Sequence, residues 1–199
     1  MQDQPSKSSI ENAIALQKYG VGQPVRRKED DTLVRGKGKY TDDFSLPKQT
    51  YGWVARSSHA HGIIKGIDVS TAKGMPGVLG VFTGRDMKDA GFGPIPCAWV
   101  VPGSNTKTPP YPPVAIDVVR YAGNAVAFVV ADDRYAARDA ADAVEVDYDP
   151  LPVVVDSWKA TQKGAPKLHA DVPDNVCFHW NVSGGDVEAA FRSADVVVK

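Results

Sequence analysis

Two pairs of possible metal ligands stand out in this sequence. His59 and His61 form an H-x-H pair, and Cys177 with His179 forms a second pair at the same spacing. On a strand, residues two apart point to one side, so each pair could supply two zinc ligands, with His169 as a further imidazole. The spacings match no familiar metal motif, however, and we expect these side chains to be structural or exposed.

The carboxylates between residues 132 and 149 are a second source of possible chemistry. Asp139 and Asp142 fall on the solvent side of a predicted helix, whereas Asp147 and Asp149 alternate with apolar residues. A catalytic pair needs two carboxyl groups that converge on one substrate from different environments. The pattern therefore predicts a solvated acidic face.

The remaining motifs also lack the spacing that catalysis or cofactor binding requires. The glycines of GKG at 36–38 are too few and too close for a phosphate-binding loop, and no G-x-S-x-G motif occurs. Ser57, Ser58 and His59 are neighbours in the sequence, which is not the geometry of a catalytic triad. The sequence thus predicts no catalytic, cofactor-binding or metal-binding residue.

Residues 92–113 form a proline-rich loop that is the best candidate for an interface. The stretch FGPIPCAWVVPGSNTKTPPYPP holds seven prolines, which give no amide hydrogen to a helix or sheet. A loop of this length in a compact domain is usually functional, disordered or laid across a neighbour. The loop is too apolar to be free in solvent, so it either docks onto another chain or domain or folds back onto its own core; its apolar residues are Trp99, Val100, Val101 and Tyr111.

Residues 125–155 predict a strand-helix-strand unit. AVAFVVA at 125–131 is typical of a fully buried strand, and a helix over 133–143 with Asp132 as its N-cap would present a face of alanines. Alternation over 144–149 predicts a half-buried strand. A short return strand is expected at 153–155.

Shorter elements are expected on either side of this unit. The sequence predicts a helix after Ser8, a turn or helix at 70–73, a helix at 83–89 capped by Thr83, and a helix from Asp186 to Ala194. It predicts a strand and turn within 32–44, and strands at 51–57, 62–69 and 78–82, of which the last is expected to be buried on both faces. The final VVVK is expected to begin a further strand.

Composition excludes several classes of partner. The 23 basic and 24 acidic residues give a formal net charge of -1, which argues against nucleic-acid binding. No apolar run is long enough to cross a membrane and no secretory signal is recognisable, so a cytoplasmic protein is expected. Cys97 and Cys177 are the only cysteines, and we expect buried thiols in place of a disulfide.

Several motifs follow one another in a specific order. They are RKED at 27–30, GKGKYTDD at 36–43, RSSHAH at 56–61, I-x-x-I-D-x-S at 64–70, M-P-G-V-x-x-V-x-T-G at 75–84, the strand-helix-strand unit with V-E-V-x-Y-x-x-L-P, and GDVEAAFRSADVVV at 185–198. Residues 20–199 thereby resemble the molybdenum-binding large subunit of the xanthine dehydrogenase, aldehyde oxidase and carbon monoxide dehydrogenase family. Gly123-Asn124-Ala125-Val126 departs from the G-Q-P-V that is frequent in the family.

The resemblance implies a fold and a domain order. It implies an α/β hammerhead domain of the α+β class with a mixed sheet at 21–156. A lead-in at 1–20 would precede it. A linker and the start of a connection to a molybdenum-cofactor domain would follow at 157–199.

The resemblance also implies a function without an active site in this segment. The chain would be the N-terminal scaffold and interface domain of a molybdenum hydroxylase large subunit, inactive alone, whose parent oxidises or hydroxylates a small organic molecule or carbon monoxide. The molybdenum pyranopterin would lie in the cofactor domain of the same subunit, and iron-sulfur clusters and FAD on partner subunits. The alternative is a stand-alone, non-catalytic binding module that uses the proline-rich loop.

Overall fold

The computed structural model describes residues 27–198, and the chain divides into a unit that ends at Pro47 and a unit that begins at Lys48. The helix expected after Ser8 lies outside the described residues. In the first unit, helix α1 spans Asp30–Val34, a turn follows at 35–36 and a 3₁₀ turn spans Thr41–Asp43. The strand expected within 32–44 is therefore wrong, whereas a turn does form there.

Local hydrogen bonds explain why the first unit forms helical turns. The Asp30 carboxylate accepts from the Arg27 amide at 3.0 Å, and the Asp43 carboxylate accepts from the Tyr40 amide at 2.8 Å. Such bonds between a short acidic side chain and a nearby amide compete with the pairing of a strand.

The second unit contains six strands and five helices among its described residues. The strands are β1 (Tyr51–Arg56), β2 (Gly62–Asp68), β3 (Val78–Thr83), β4 (Val118–Val119), β5 (Ala125–Ala131) and β6 (Glu145–Pro150). The helices are α2 (Ser70–Gly74), α3 (Gly84–Asp89), α4 (Arg134–Asp142), α5 (Ser157–Ala160) and α6 (Val187–Ser193).

The strands form two antiparallel sheets, in the orders β1-β5-β3 and β4-β2-β6. The expected α+β class is confirmed, but the expected mixed sheet is not present among the described residues. Strands β5 and β6 flank α4 in the sequence and yet join different sheets. Val146 and Tyr148 of β6 lie opposite Ile67 and Ile64 of β2, which draws β6 away from β5.

Position within the sheet decides how deeply each strand is buried. The central strand β5 is buried along most of its length, as predicted. Strand β3 is an edge strand, so the prediction that it is buried on both faces is wrong. Val81 is buried, whereas 62% of Leu79 and 44% of Phe82 are exposed.

Helix α4 packs its alanines against the sheet, as predicted. Ala137, Ala140 and Ala141 are buried, and the helix contacts β1, β5 and β3. The N-cap is Asp133 and not Asp132, because the Asp133 carboxylate accepts from the amides of Tyr135 and Ala136, at 2.7 and 3.0 Å. The small side chains allow the helix axis to approach the sheet closely.

Helix α3 begins where the sequence predicts. The Thr83 hydroxyl accepts from the Asp86 amide at 3.4 Å, while the Asp86 carboxylate accepts from the Thr83 amide at 2.7 Å. Gly84 follows at the first helical position, where a Cβ atom would collide with the backbone of Val114 and Ala115. This contact explains why the motif ends in Thr-Gly.

The C-terminal segment is helical only in part. Asp186 caps α6 through a 2.9 Å bond from the Ala189 amide, as predicted. The strands expected at 153–155 and from Val196 are not formed, because no described strand pairs with either segment. Among residues 27–198, no helix is long and apolar enough to cross a membrane.

Candidate functional site

The proline-rich loop runs without helix or strand from residue 92 to 113, as predicted. Its apolar side chains divide into two groups. Trp99 is 57% exposed and Tyr111 is 49% exposed, whereas Val101 is 2% exposed. Val101 therefore anchors the loop to the chain's own interior and cannot contribute to an exposed surface. Trp99 and Tyr111 remain the predicted interface residues.

Tyr111 is held from two directions. Its backbone oxygen accepts from the Ile95 amide at 2.8 Å, which joins the two ends of the loop. Its hydroxyl lies 2.8 Å from the hydroxyl of Tyr121, which is 43% exposed. This hydrogen bond, with a smaller contribution from burial, raises the pKa of Tyr121. The two phenols thus form a fixed, surface-accessible pair.

Trp99 is held by the segment that precedes α6. Its ring packs edge-on against Trp180, with centroids 6.0 Å apart. Nearby along the loop, the Lys107 amide donates to the Cys177 backbone oxygen at 2.9 Å, and the Lys107 ammonium lies 2.9 Å from the Asp174 carboxylate. The hydrogen bond from Lys107 lowers the pKa of Asp174. The loop and residues 174–180 are consequently tied together.

The loop and the segments that it contacts carry five exposed aromatic residues, which we refer to together as the aromatic surface. They are the contacting pairs Trp99–Trp180 and Tyr111–Tyr121, and Phe178. Each of these side chains is at least 39% exposed. Tyrosine and tryptophan present a large apolar area with a polar tip, and they are enriched where proteins meet partners. Fixed rings lose little conformational entropy on binding, so the arrangement suits protein contact.

The expected linker after residue 156 is folded against the domain, and Asn175 holds it. The Asn175 amide nitrogen donates to the backbone oxygens of Ala160 and Pro166, both at 2.9 Å, and its side-chain oxygen accepts from the Leu168 amide at 3.1 Å. Val172 is buried. Asn175 has a φ of 55°, a conformation that asparagine tolerates better than most residues. Sequence reasoning missed this role, although the P-D-N turn was a usable signal.

After Arg56, the last residue of β1, the motif RSSHAH forms a polar corner and not a continuation of the strand. The Ser57 amide donates to the Asn124 backbone oxygen at 2.8 Å, and the Gly123 amide donates to the Ser57 backbone oxygen at 2.8 Å. The His61 Nδ1 atom lies 2.9 Å from the backbone oxygen of Pro152. Ser57, His61 and Asn124 are all buried. These contacts join three separate segments, so the motif is structural here.

The histidines do not form a ligand set. His59 and His61 lie outside any strand, so the periodicity that would align them is absent. His59 stacks on Tyr148, with ring centroids 4.5 Å apart, while His61 is buried. Among residues 27–198, no three His, Cys, Asp or Glu side chains are grouped as metal ligands would be.

His169 lies beside a cationic side chain. Arg120 Nε donates to the neighbouring Leu168 backbone oxygen at 2.9 Å. Burial lowers the pKa of His169, and the positive charge of Arg120 lowers it further, against a smaller opposing effect of Asp171. The neutral imidazole is therefore favoured in the folded chain.

Neither cysteine is buried, which corrects the expectation from sequence, although both are free thiols as expected. Cys97 donates to the Trp99 backbone oxygen and Cys177 to the Lys107 backbone oxygen, each at 3.1 Å. Both cysteines lie in irregular segments at the surface and not on a core element, which is why they are exposed.

The acidic residues are exposed, as predicted. Asp139 and Asp142 lie on the solvent side of α4, and Asp147 and Asp149 on the outer side of β6. Asp149 lies 3.8 Å from the Lys65 ammonium. None of these carboxylates is desolvated in the way that general acid–base catalysis requires.

Comparison with known families decides the classification. The family model for the aldehyde oxidase and xanthine dehydrogenase a/b hammerhead domain matches residues 35–152. The chain belongs to this family. The predicted hammerhead fold is thereby confirmed.

Relatives and solved structures agree with this assignment. The chain is 40% identical to the carbon monoxide dehydrogenase large chain of Afipia carboxidovorans, over 96% of this chain and 24% of the relative. It is 41% identical to the nicotine 6-hydroxylase large subunit of Paenarthrobacter nicotinovorans, over 89% of this chain and 21% of the relative. The quinoline 2-oxidoreductase of Pseudomonas putida superposes with a TM-score of 0.67 at 35% identity, covering 78% of this chain and 19% of that structure.

This hammerhead chain therefore spans about a quarter of the length of the curated relatives it matches. Other relatives include the xanthine dehydrogenase molybdenum-binding subunit of Escherichia coli, at 32% identity. The motifs quoted from the sequence fall on real structural features. RSSHAH forms the polar corner, and the Thr-Gly pair starts α3.

Proposed function

We propose that this chain is the N-terminal scaffold and interface domain of a molybdenum hydroxylase large subunit. The observation that carries the proposal is the exposed aromatic surface on a hammerhead domain. Trp99 and Tyr111 are fixed by contacts within the chain and yet remain about half exposed. Such a surface suits the docking of further polypeptide.

The parent enzyme would oxidise or hydroxylate a small organic molecule or carbon monoxide. Support comes from the relatives, whose names include carbon monoxide dehydrogenase and nicotine 6-hydroxylase. The molybdenum pyranopterin belongs, in this proposal, to the cofactor domain of the same subunit. Residues 27–198 do not fit such a group, since they show no metal-ligand cluster and no buried side-chain nitrogen or oxygen without a hydrogen-bond partner.

The partners follow from the same proposal. The cofactor domain of the same subunit would cover part of the chain, and iron-sulfur and flavin subunits would complete the enzyme. A relative at 32% identity is named a subunit of the 6-hydroxypseudooxynicotine dehydrogenase complex, which supports partner subunits in general. We further propose a cytoplasmic location and no role for nucleic acid or membrane.

A co-purification experiment tests the interface role. The 199-residue chain is co-expressed with a separate polypeptide that carries the part of the Afipia carboxidovorans relative that this chain does not match, and the recovered complex is measured. A double Trp99→Ser, Tyr111→Ser variant should lower the apparent affinity by about tenfold or more, as loss of an aromatic interface anchor does. Tyr135→Ser is the matched control, since Tyr135 is an exposed aromatic residue on α4.

Three results are informative. A complex formed by the chain and by the Tyr135 variant, but weakened in the double variant, supports the proposal. Equal recovery of all three proteins excludes the aromatic surface as the interface. Failure of every form to bind would favour the alternative of a stand-alone binding module.

A further inference from the structure

The four edge strands of the two sheets differ in how well they are protected from pairing. Strand β4 has only two residues, β6 carries Asp147, Asp149 and Pro150, and β3 has a register shift between Val78 and Gly80. Short length, charge, proline and bulges are the usual means by which proteins block edge pairing. Each of these three edges therefore has a recognised defence.

Strand β1 lacks these defences over most of its length. Its sequence YGWVAR contains no proline, lysine or carboxylate, and residues 51–55 pair with β5 without a register shift. On its outer side, β1 pairs with no strand among residues 27–198. A regular edge of this kind presents a row of backbone donors and acceptors that can receive an added strand.

A cleft of about 610 Å³ runs along this edge. Residues 52–56 of β1 line it together with Val126 of β5, Ala141 and Asp142 at the end of α4, Val144 just before β6, and Val146 within β6. The cleft thus combines residues of the β1 edge with a wall that is mostly alanine and valine and also includes Asp142. An extended peptide uses both, because its backbone pairs with the edge while alternate side chains fill the wall.

We propose that an extended segment of the same large subunit, from outside these 199 residues, occupies this cleft as a strand added to β1. The inference rests on the proposed function. The matched relatives are about four times as long as this chain, since it spans 24% and 21% of them. A segment tethered to the same polypeptide acts at a high effective concentration and outcompetes a free partner.

The cleft also defines the chemistry of the segment. Apart from Asp142, the wall opposite β1 consists of alanine and valine residues, so we expect small or β-branched apolar residues at alternate positions of the segment. The length of β1 limits the pairing to its six residues. The added strand would extend the β1-β5-β3 sheet to four strands and cover Val144 and Val146.

Photo-crosslinking in the assembled full-length enzyme tests the proposal. The photoreactive amino acid p-benzoylphenylalanine replaces Trp53, which lines the cleft and is itself aromatic. The expected result is a crosslink to one segment of the same polypeptide beyond these 199 residues. The same substitution at Tyr135, which is exposed on α4, should give no crosslink to that segment.

Other crosslinking results would overturn the proposal. These are a crosslink from position 53 confined to residues 1–199, one to a second copy or a partner subunit, or none at all in an enzyme that assembles. Because position 53 lies outside the aromatic surface, a failure here leaves the co-purification result at Trp99 and Tyr111 unaffected.

Amide exchange provides an independent measurement that needs no substitution. Amides on the outer side of residues 51–56 should exchange at least about tenfold more slowly in the full-length enzyme than in the 199-residue chain, because an added strand accepts their hydrogen bonds. Equal rates in the two proteins would contradict the added strand. If exchange were slower only in the proline-rich loop, the result would support the proposed interface function but contradict the added strand.

Discussion

At the scale of single residues, polar side chains define the geometry of the irregular segments. Asn175 bonds to three points of the segment between Ala160 and Leu168, and Arg120 bonds to the Leu168 backbone oxygen. A stretch without strands and with a single four-residue helix is thereby ordered. Breaking such contacts destabilises the fold because partly buried carbonyl groups lose their partners.

Asn175→Asp should release this segment. The substitution retains the acceptor for the Leu168 amide but replaces the donor to two backbone oxygens with a carboxylate. We expect the free energy of unfolding to fall by about 1–3 kcal/mol. Tryptic cleavage at Lys163 and Lys167, both exposed, should accelerate.

The control for this substitution is Asp174→Asn. It changes the neighbouring residue, leaves the Asn175 bonds in place, and alters only the carboxylate that accepts from the Lys107 ammonium and the Val176 amide. Cleavage at Lys163 and Lys167 that accelerated equally in both variants would show that Asn175 has no special role.

His169 should make the stability depend on pH in the mildly acidic range. Its pKa is lower in the folded chain than its ordinary value, so the unfolded chain binds the proton more readily. The free energy of unfolding therefore suffers no loss from His169 above the ordinary histidine pKa of about 6.5, and it declines as the pH falls below that value. Urea unfolding between about pH 7.5 and 5.5 should show this decline, and His169→Gln should reduce it. An unchanged profile in the variant would assign the decline to other groups.

At the scale of elements, the alanine face of α4 controls how closely the helix approaches the sheet. Ala137 and Ala140 are fully buried, and Ala140 belongs to the same core cluster as Val129 of β5. The helix is short, so its stability depends on packing more than on intrinsic propensity. The alanines therefore matter for their small size.

Ala140→Leu should overpack this contact. We expect a loss of about 1–3 kcal/mol in the free energy of unfolding, because the closely packed core has no room for the larger side chain. Asp139→Asn, one residue away on the exposed side, should change the stability by less than about 0.5 kcal/mol. Chemical denaturation of both variants checks the order, and the reverse order would mean that the buried face of α4 is misassigned.

At the scale of the whole molecule, the second unit exposes surfaces that we propose receive further polypeptide. The aromatic surface and the edge of β1 are both available in the described residues. The relatives are about four times longer, which is consistent with such contacts. The hammerhead domain would then act by positioning other parts of an enzyme.

The purified 199-residue chain should contain no molybdenum, iron, flavin or stoichiometric zinc, and it should have no oxidoreductase activity alone. The reason is that the sequence predicts no ligand set, and the histidines of residues 59 and 61 are engaged separately. Elemental analysis and absorbance spectroscopy provide the measurement. About one equivalent of zinc per chain would overturn this prediction and return attention to His59, His61, Cys177 and His179.

The sequence by itself determined the features that depend on neighbouring residues. The caps at Thr83 and Asp186 and the alternation along β6 were predictable, because a cap or a strand face is defined within a few residues. The motif order also determined the family, since each motif reflects a local structural need.

Only the tertiary structure decided which segments meet. The sequence did not reveal that β6 would pair with β2, that β3 would form an edge, or that Val101 would be buried while Trp99 stayed exposed. It also did not reveal the bonds of Asn175, which reach back 15 residues to Ala160. Pairing and burial of this kind depend on the competition between distant segments for the same surface, and a local pattern does not encode which segment wins.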